Sequence, residues 1–318
     1  MSERVILIEG LQKTFAFGFW RRKVRAVEEL SLEVHEGEIF GFLGPNGAGK
    51  TTTIKILMGL CYPTAGRVEV FGRKVPHPEA QARLGFLPEN PYFYDYLSGA
   101  ELLDLAGRLS GLGAAERRAR AGRLLERVGL ADAAARPLRK YSKGMLQRIG
   151  IAQALINDPK LVVLDEPMTG LDPIGRKEIR DLIVALKAEG KTVFFSTHIL
   201  PDVELVCDRV GIIAKGRLRD VGPLDALLSP RVLEIEVVLE AAAGLDLGPL
   251  APLCRRLRPA AGTTVAQLDG EQVDPFLAQA LSLGAHVVSV TPRKENLEDL
   301  FMRQTAAPAA EPAARGAA

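Results

Sequence analysis

The chain has 318 residues, of which 47% are apolar and 25% charged, the balance typical of a globular protein. This length allows one large or two medium domains, and the composition excludes disorder as the overall state. A net charge of +2 gives no general attraction to polyanions, so no nucleic-acid partner is expected. Three widely spaced cysteines favour a reducing compartment over a disulfide framework. With neither a secretory signal nor an apolar run of spanning length, work at a membrane would require docking onto another protein.

The N-terminal part of the chain is predicted to consist of strands and turns that lead into a Gly-rich loop. Apolar or alternating runs predict strands at Val5–Ile8, Val27–Val34, Glu38–Leu43 and Arg67–Phe71. The Gly, aromatic and basic stretch from Phe17 to Lys23 is interpreted as an extended loop. A helical pattern follows the Gly-rich loop, from Lys50 to Leu60.

Helical and α/β patterns follow one another along the next part of the chain. Residues 90–156 are rich in Ala, Leu and Arg and predict a helical insertion, in which Ser98 and Glu101 have capping-box spacing. Apolar strands of the buried type at Leu161–Leu164 and Thr192–Ser196 flank a predicted helix, which implies parallel βαβ units. We therefore expect an α/β core that contains a helical insertion.

Three segments follow from these changes of pattern. Residues 1–228 are predicted to form the first domain. Beyond Ser229 and Pro230, alternating and helical patterns predict a small α+β domain over residues 229–304. The Ala- and Pro-rich tail, residues 305–318, is expected to be disordered.

The loop from Gly44 to Thr51 matches the P-loop pattern of Gly, four residues, Gly, Lys and Ser or Thr. Glycines let consecutive N–H groups turn toward one anion, and the following helix points the positive end of its dipole there. Lys50 supplies a point charge for the β- and γ-phosphates, and the Thr51 hydroxyl is a ligand for Mg²⁺. We predict that the phosphates of a nucleotide contact Gly44, Pro45, Asn46, Gly47, Ala48, Gly49, Lys50, Thr51 and Thr52.

Two carboxylates end the apolar strand that begins at Leu161. Ligands bind at the carboxyl ends of parallel strands, so this is the expected edge for a nucleotide. Asp165 suits the Mg²⁺ that bridges the phosphates. Glu166 is one residue further on and points elsewhere, toward an attacking water, where hydrolysis needs a general base or a water-orienting group.

The segment Tyr141–Arg148, which lies between these motifs, resembles the signature of the ATP-binding cassette (ABC) ATPases, usually written Leu-Ser-Gly-Gly-Gln. It places Ser142 23 residues before Asp165, as the family pattern requires. Ser142 and Gly144, the positions nearest the γ-phosphate in the family, are kept. Lys143 stands for a Gly of the pattern and adds a positive charge near that phosphate. Ser142 is also a good N-cap for the helix that follows.

The resemblance implies roles for four further positions. Thr169–Asp172 resembles the D-loop, which crosses the interface between two cassettes, so Asp172 is expected there. His198 resembles the switch histidine that binds the γ-phosphate and holds the attacking water. Phe15 stands where the family places an aromatic ring that stacks on adenine. Glu89 replaces the family's Gln and is expected to keep its role in reading the γ-phosphate and binding Mg²⁺.

The resemblance covers Val5 to about Leu228 and implies a P-loop NTPase fold: an α/β core with an antiparallel β subdomain and a helical insertion. It implies an ATPase that uses ATP and Mg²⁺ and forms a homodimer around two ATP molecules. A separate integral membrane permease would hold the protein at the cytoplasmic face of the membrane. The C-terminal region, ending in Asn296–Phe301, resembles that of ABC-2 type exporter subunits, which favours export over import.

A soluble ABC ATPase without a transport role is the alternative. A chromosome-maintenance ATPase is excluded, because Lys50 and Ser142 are only 92 positions apart, which leaves no room for the long coiled coil of that class. Translation-factor relatives carry two cassettes, and this chain has one. A GTPase or kinase built on the same loop would explain neither the signature nor His198. Co-purification with an integral membrane protein separates the transporter subunit from the soluble ATPase.

Overall fold

The computed structural model describes residues 3–18, 22–228, 232–240, 245–260, 263–294 and 297–306. The chain divides into two compact units, one comprising residues up to Leu224 together with those from Phe301 onward, the other Asp225–Leu300. The second domain expected from the sequence, residues 229–304, begins four residues after the start of this second unit and ends four residues after its end.

The first unit is built from ten strands and seven helices in its described part. The strands are β1 (Arg4–Phe17), β2 (Arg22–His35), β3 (Ile39–Leu43), β4 (Ala65–Val70), β5 (Arg73–Lys74), β6 (Leu84–Leu87), β7 (Leu161–Asp165), β8 (Thr192–Thr197), β9 (Arg209–Ala214) and β10 (Arg217–Pro223). The helices are α1 (Lys50–Leu57), α2 (Pro78–Gln81), α3 (Gly99–Leu109), α4 (Ala114–Arg127), α5 (Lys143–Ala154), α6 (Pro173–Ala188) and α7 (Leu200–Val206).

A six-stranded sheet in the order β10-β9-β3-β8-β7-β6 forms the centre of this unit. All its neighbouring pairs are parallel except β10 and β9. Every residue of β3, β7 and β8 is buried, which explains why their sequences are continuous apolar runs. Because these strands are parallel, their carboxyl ends meet at one edge and bring Gly44, Glu166 and His198 to the same side of the sheet.

A second, antiparallel sheet has the order β2-β1-β4-β5. Its first two strands form a long hairpin, in which β1 continues to Phe17 and β2 begins at Arg22. The prediction of an extended loop from Phe17 to Lys23 is therefore wrong for Phe17, Arg22 and Lys23, which belong to the strands, and residues 19–21 lie outside the described part. The Gly, aromatic and basic composition of this stretch resembles a loop, whereas the backbone pairing is regular from Thr14 with Arg25 to Phe17 with Arg22.

The helical insertion consists of α3, α4 and α5. The capping box at the start of α3 is confirmed: Ser98 Oγ accepts from the Glu101 N–H, and the Glu101 carboxylate accepts from the Ser98 N–H at 2.8 Å. Ser142 caps α5 by accepting from the Met145 N–H at 3.2 Å. Both helices therefore start where the sequence predicts.

The remaining elements are α8 (Leu224–Leu227), β11 (Val232–Glu240), β12 (Arg256–Ala260), β13 (Thr263–Leu268), α9 (Val273–Ser282), β14 (His286–Lys294) and α10 (Leu297–Ala306). In the second unit an antiparallel sheet in the order β12-β13-β11-β14 packs against α9, whose Phe276 and Ala280 are buried. The prediction of a disordered tail from residue 305 is wrong for Thr305 and Ala306, because they continue α10. Residues 307–318 lie outside the described part. No helix among the described residues has the length and apolar character needed to cross a membrane.

Candidate nucleotide site

The P-loop connects β3 to α1, and its backbone at Gly49 lies close to the backbone of Ala26. Gly49 has φ = 111°, and a Cβ added there would lie 2.5 Å from the carbonyl oxygen of Ala26. Gly47 also has a positive φ of 78°. Only glycine fits the position of Gly49, because any side chain would clash with backbone and strain the chain. The loop thus keeps its N–H groups free of side-chain cover.

Lys50, the first residue of α1, extends back over the loop that precedes it. Its Nζ donates to the carbonyl oxygens of Gly44 at 2.6 Å and Pro45 at 3.3 Å. It also lies 3.0 Å from Glu166 Oε1, and this ion pair is buried. Lys50 is therefore positioned where the loop would hold the outer phosphates of a nucleotide.

Asp165 ends β7 and is almost completely buried. Its Oδ1 accepts from Ser196 Oγ of the neighbouring strand at 2.5 Å. Burial raises the pKa of the Asp165 carboxyl above its ordinary value, while hydrogen bonds from Ser196 and Thr51 act in the opposite direction. The contact with Thr51 brings together two of the three oxygen ligands that the sequence assigns to Mg²⁺.

Glu166 has the left-handed backbone conformation, with φ = 51°, which is uncommon for a residue other than glycine. Its N–H donates to Ser196 Oγ at 3.0 Å. The side chain receives a hydrogen bond from Thr169 Oγ1 at 2.8 Å and lies 2.9 Å from His198 Nδ1, both at Oε2. The unusual backbone turns Glu166 away from the direction of Asp165 and brings it to His198 and Lys50.

A cavity of about 270 Å³ lies over the loop. It is lined by the loop, by Glu166 and by Glu89, which follows β6. The exposed Glu89 is thus brought to the same cavity as the phosphate-binding residues. Phe15 lies on β1 outside this lining, and Lys13 Nζ stands 4.8 Å from the centre of its ring.

The signature segment and the D-loop line a different cavity, of about 470 Å³. Ser142, Lys143 and Gly144 form one side of it, and Gly170 and Asp172 form the other. Asp172 caps α6 by accepting from the Gly175 N–H at 2.7 Å. Within one chain, the structure therefore keeps these residues apart from the cavity of the P-loop.

Three contacts of the site were not predicted from the sequence. Ser196 bonds both Asp165 and the Glu166 N–H, and Thr169 bonds the Glu166 carboxylate. Ser196 carries no sequence signal of its own, since it is one hydroxyl in a buried strand. Its role depends on the register of β7 and β8, which pairs it with Asp165.

The donors present fit Mg²⁺, which prefers oxygen ligands and binds through one or two carboxylates together with substrate phosphates. Thr51, Glu89 and Asp165 offer only oxygen. The described residues contain no group of three or more His, Cys, Asp and Glu side chains that could hold a metal by themselves.

The fold and the cavity define a P-loop nucleotide-hydrolysing protein, and comparisons with known proteins specify its family. A family model described as ABC transporter matches residues 27–169. The uncharacterized ABC transporter ATP-binding protein all4389 of Nostoc sp. is 42% identical over 94% of this chain and 89% of its own length. The Nod factor export ATP-binding protein I of Ralstonia nicotianae is 35% identical over 96% of this chain and 94% of its own length.

Solved structures agree with this result. A dimeric structure of a post-hydrolysis state of the ATP-binding cassette MJ0796 bound to ADP and Pi matches 69% of this chain and 98% of its own. The sequence identity is 26% and the TM-score 0.63. The chain belongs to the ABC transporter family and is an ATP-hydrolysing, ATP-binding subunit of such a transporter.

Proposed function

We propose that two copies of this chain close face to face around two ATP molecules and thereby drive export through a separate membrane subunit. The separation of the P-loop cavity from the signature cavity carries the proposal. Each complete site would combine Lys50 and Glu166 of one copy with Ser142 and Gly144 of the other. The γ-phosphate joins the two halves, and hydrolysis removes it, so the nucleotide biases a two-state element.

The chemistry proposed for the closed site follows from the contacts around Glu166. Glu166 accepts the proton of the attacking water or orients it, and His198, which contacts Glu166 through Nδ1, holds the same carboxylate in place. Lys50 and the loop N–H groups stabilise the charge on the phosphates. Mg²⁺, when bound by Thr51 and Asp165, supplies charge neutralisation at the phosphate oxygens.

Four roles remain part of the proposal. Glu89 would act as a second carboxylate near the cation, and Asp172 would lie at the interface between the copies. Phe15 would stack on adenine through its ring. Pro45, Asn46 and the rest of the loop to Thr52 would surround the phosphates.

A groove of about 1000 Å³ in the helical insertion is the proposed docking place for the membrane subunit. Tyr94, Tyr96, Leu97 and Ala100 form part of its lining. The same segment is hydrogen-bonded to the residues before the signature, since the Leu138 N–H donates to Leu97 O at 2.8 Å. If a partner moved the groove, the movement would therefore be transmitted to Ser142 through the short segment that begins at Leu138.

Two observations support export as the direction of transport: the presence of the C-terminal unit and the description of a relative. The relative from Ralstonia, which is described as an export protein, is matched over nearly the full length of both chains. The match includes the second unit, Asp225–Leu300, and not the cassette alone. Docking onto the membrane subunit would hold the protein at the cytoplasmic face of the membrane.

Light scattering of the Glu166→Gln variant tests the closure. A dimer is expected with ATP and Mg²⁺ and a monomer with ADP. A chain that stays monomeric with saturating ATP and Mg²⁺ would contradict the proposal.

Purification from native membranes in mild detergent tests the transport role. An integral membrane protein is expected to co-purify in stoichiometric amount, and its identity would also report the cargo. Recovery of the ATPase from the soluble fraction without such a protein would favour the soluble alternative.

A further inference from the structure

An ion pair between Arg180 and Asp202 joins two helices that begin at the nucleotide edge of the central sheet. Arg180 Nη1 lies 2.6 Å from Asp202 Oδ1, and the side chains are 21% and 3% exposed. The second carboxylate oxygen, Oδ2, is buried without a hydrogen-bond partner among the described residues. Such a pair contributes little net stability, because the cost of removing the charges from water offsets their attraction. Stability alone therefore does not explain it.

The pair fixes the first turn of α7, which follows His198 almost directly. Asp202 is the third residue of this helix, and the preceding Ile199 provides no side-chain cap. On one side of His198, Thr197 is held in the central sheet and its carbonyl oxygen accepts from the Gly44 N–H at 3.3 Å. On the other side, the local restraint is a 3.0 Å hydrogen bond from the Ile199 N–H to Thr197 Oγ1, so the position of His198 also depends on how firmly α7 is attached to the rest of the unit.

Arg180 attaches α7 to the helix that follows the D-loop. It lies eight residues, about two turns, after Asp172, the residue that caps α6. The two helices carry at their starts Asp172 and His198, which the proposed closure places at the interface and at the γ-phosphate. The ion pair thus links two elements of the site.

We propose that Arg180 and Asp202 are positioning residues for ATP hydrolysis, which keep His198 in contact with Glu166. The proposal rests on the roles given to His198 and Glu166 under the proposed function. The contact to be kept is the 2.9 Å separation of His198 Nδ1 and Glu166 Oε2. A misplacement of about 1 Å at a reacting centre costs up to about a hundredfold in rate.

The first experiment replaces the pair by apolar side chains, Arg180→Met together with Asp202→Leu. Apolar replacement of a buried pair is neutral or stabilising, so Tm is expected to be unchanged or higher. The kcat is expected to fall about tenfold or more, with an unchanged KM for ATP because the P-loop is untouched. The control, Arg127→Met with Glu189→Gln, removes another ion pair at the far end of α6, and kcat is expected to stay unchanged.

A second experiment repeats the replacement in a His198→Ala background. If the pair acts through His198, it has no further effect on kcat there, whereas a general structural role lowers kcat again. A further fall, or an unchanged kcat in the stable pair variant, overturns the proposal. An unchanged kcat in His198→Ala alone contradicts the role of His198 itself and thus identifies the proposed function as the source of failure.

A single variant covers the case in which the apolar pair folds poorly. Asp202→Glu keeps the charge and lengthens the side chain by one methylene group. It is expected to lower kcat and to shift the ring-nitrogen NMR signals of His198. Unchanged signals and kcat in this variant overturn the proposal.

Discussion

Lys50 Nζ lies 3.0 Å from Glu166 Oε1, and the two side chains are only 6% and 5% exposed. The lysine of the P-loop and the carboxylate that follows β7 thus neutralise each other inside the cavity. A phosphate that binds Lys50 competes with this carboxylate. A nucleotide that binds the ammonium group of Lys50 would therefore also weaken the ion pair that restrains Glu166.

The stability of the nucleotide-free protein depends on this pair. Lys50→Met leaves the buried Glu166 carboxylate without its cation, and we expect a loss of about 3 kcal/mol or more in the free energy of unfolding. Adding Glu166→Gln removes the unpaired charge and should recover most of that loss. Urea unfolding of both variants measures the difference, and equal stability of the single and double variants would contradict it.

Turnover depends on the carboxylate of Glu166. Glu166→Gln is expected to lower kcat at least about a hundredfold. ATP affinity is expected to persist or rise, because a neutral amide competes less for Lys50. Single-turnover hydrolysis and calorimetric titration measure the two effects. The matched variant Glu189→Gln, at the end of α6, should hydrolyse ATP normally, and near-normal turnover in Glu166→Gln would remove Glu166 from its assigned role.

The pH dependence of Mg²⁺ binding follows from the environment of Asp165. Burial raises the pKa of this carboxyl, so it is protonated, and the cation lost, at a higher pH than for an ordinary aspartate. The hydrogen bond from Ser196 lowers this pKa. Ser196→Ala is therefore expected to move the loss of Mg²⁺ affinity to still higher pH. Titration of Mg²⁺ into the ATP complex across pH tests this, with the exposed Ser110→Ala as control; identical midpoints would refute it.

Ser142 combines two tasks that one substitution can separate. Asp is as good an N-cap as Ser, so Ser142→Asp should keep α5 and the Tm of the protein. Its negative charge would repel the γ-phosphate of the other copy. In the Glu166→Gln background we expect ATP binding without dimer formation, measured by light scattering. A normal ATP-dependent dimer would show that Ser142 serves only as a helix cap.

Substitutions in the groove of the helical insertion should weaken binding of the membrane subunit without changing the basal rate of ATP hydrolysis. Tyr94 and Tyr96 are exposed and their rings lie 5.8 Å apart, so replacing both by Ser should leave the fold intact. We expect normal ATPase activity of the isolated protein and loss of co-purification with the membrane subunit. Tyr62→Ser removes an exposed tyrosine outside the groove and should change neither. Retained co-purification of the double variant would place the docking surface elsewhere.

Local patterns in the sequence predict those parts of the site in which neighbouring residues act together. The P-loop, the strand that ends in Asp165 and Glu166, and the cap at Ser142 are all of this kind. The cavity adds Glu89 to the P-loop, as the sequence suggests. The sequence does not predict the contact of Ser196 with Asp165, because it depends on the pairing of two strands separated by a whole helix.

Composition limits the prediction of strands. The far end of the hairpin of β1 and β2 is regularly paired, but its Gly, aromatic and basic residues look like a loop in the sequence. In the second unit, β11, β14 and α9 follow clear patterns, whereas β12 and β13 were not predicted. Strand β12 contains Arg256, Arg258 and Pro259 and lies at the edge of its sheet, where such residues are tolerated.

The separation of the P-loop cavity from the signature cavity has a genetic consequence under the proposed pairing. A copy damaged at Ser142 would silence the active centre of its healthy neighbour while its own P-loop still worked. A copy damaged at Lys50 would lose its own active centre, while its Ser142 would still complete the centre of its neighbour. Two inactive alleles of these kinds, expressed together, would restore one functioning centre in each mixed pair, and a pair of either damaged copy with a normal copy would also keep one.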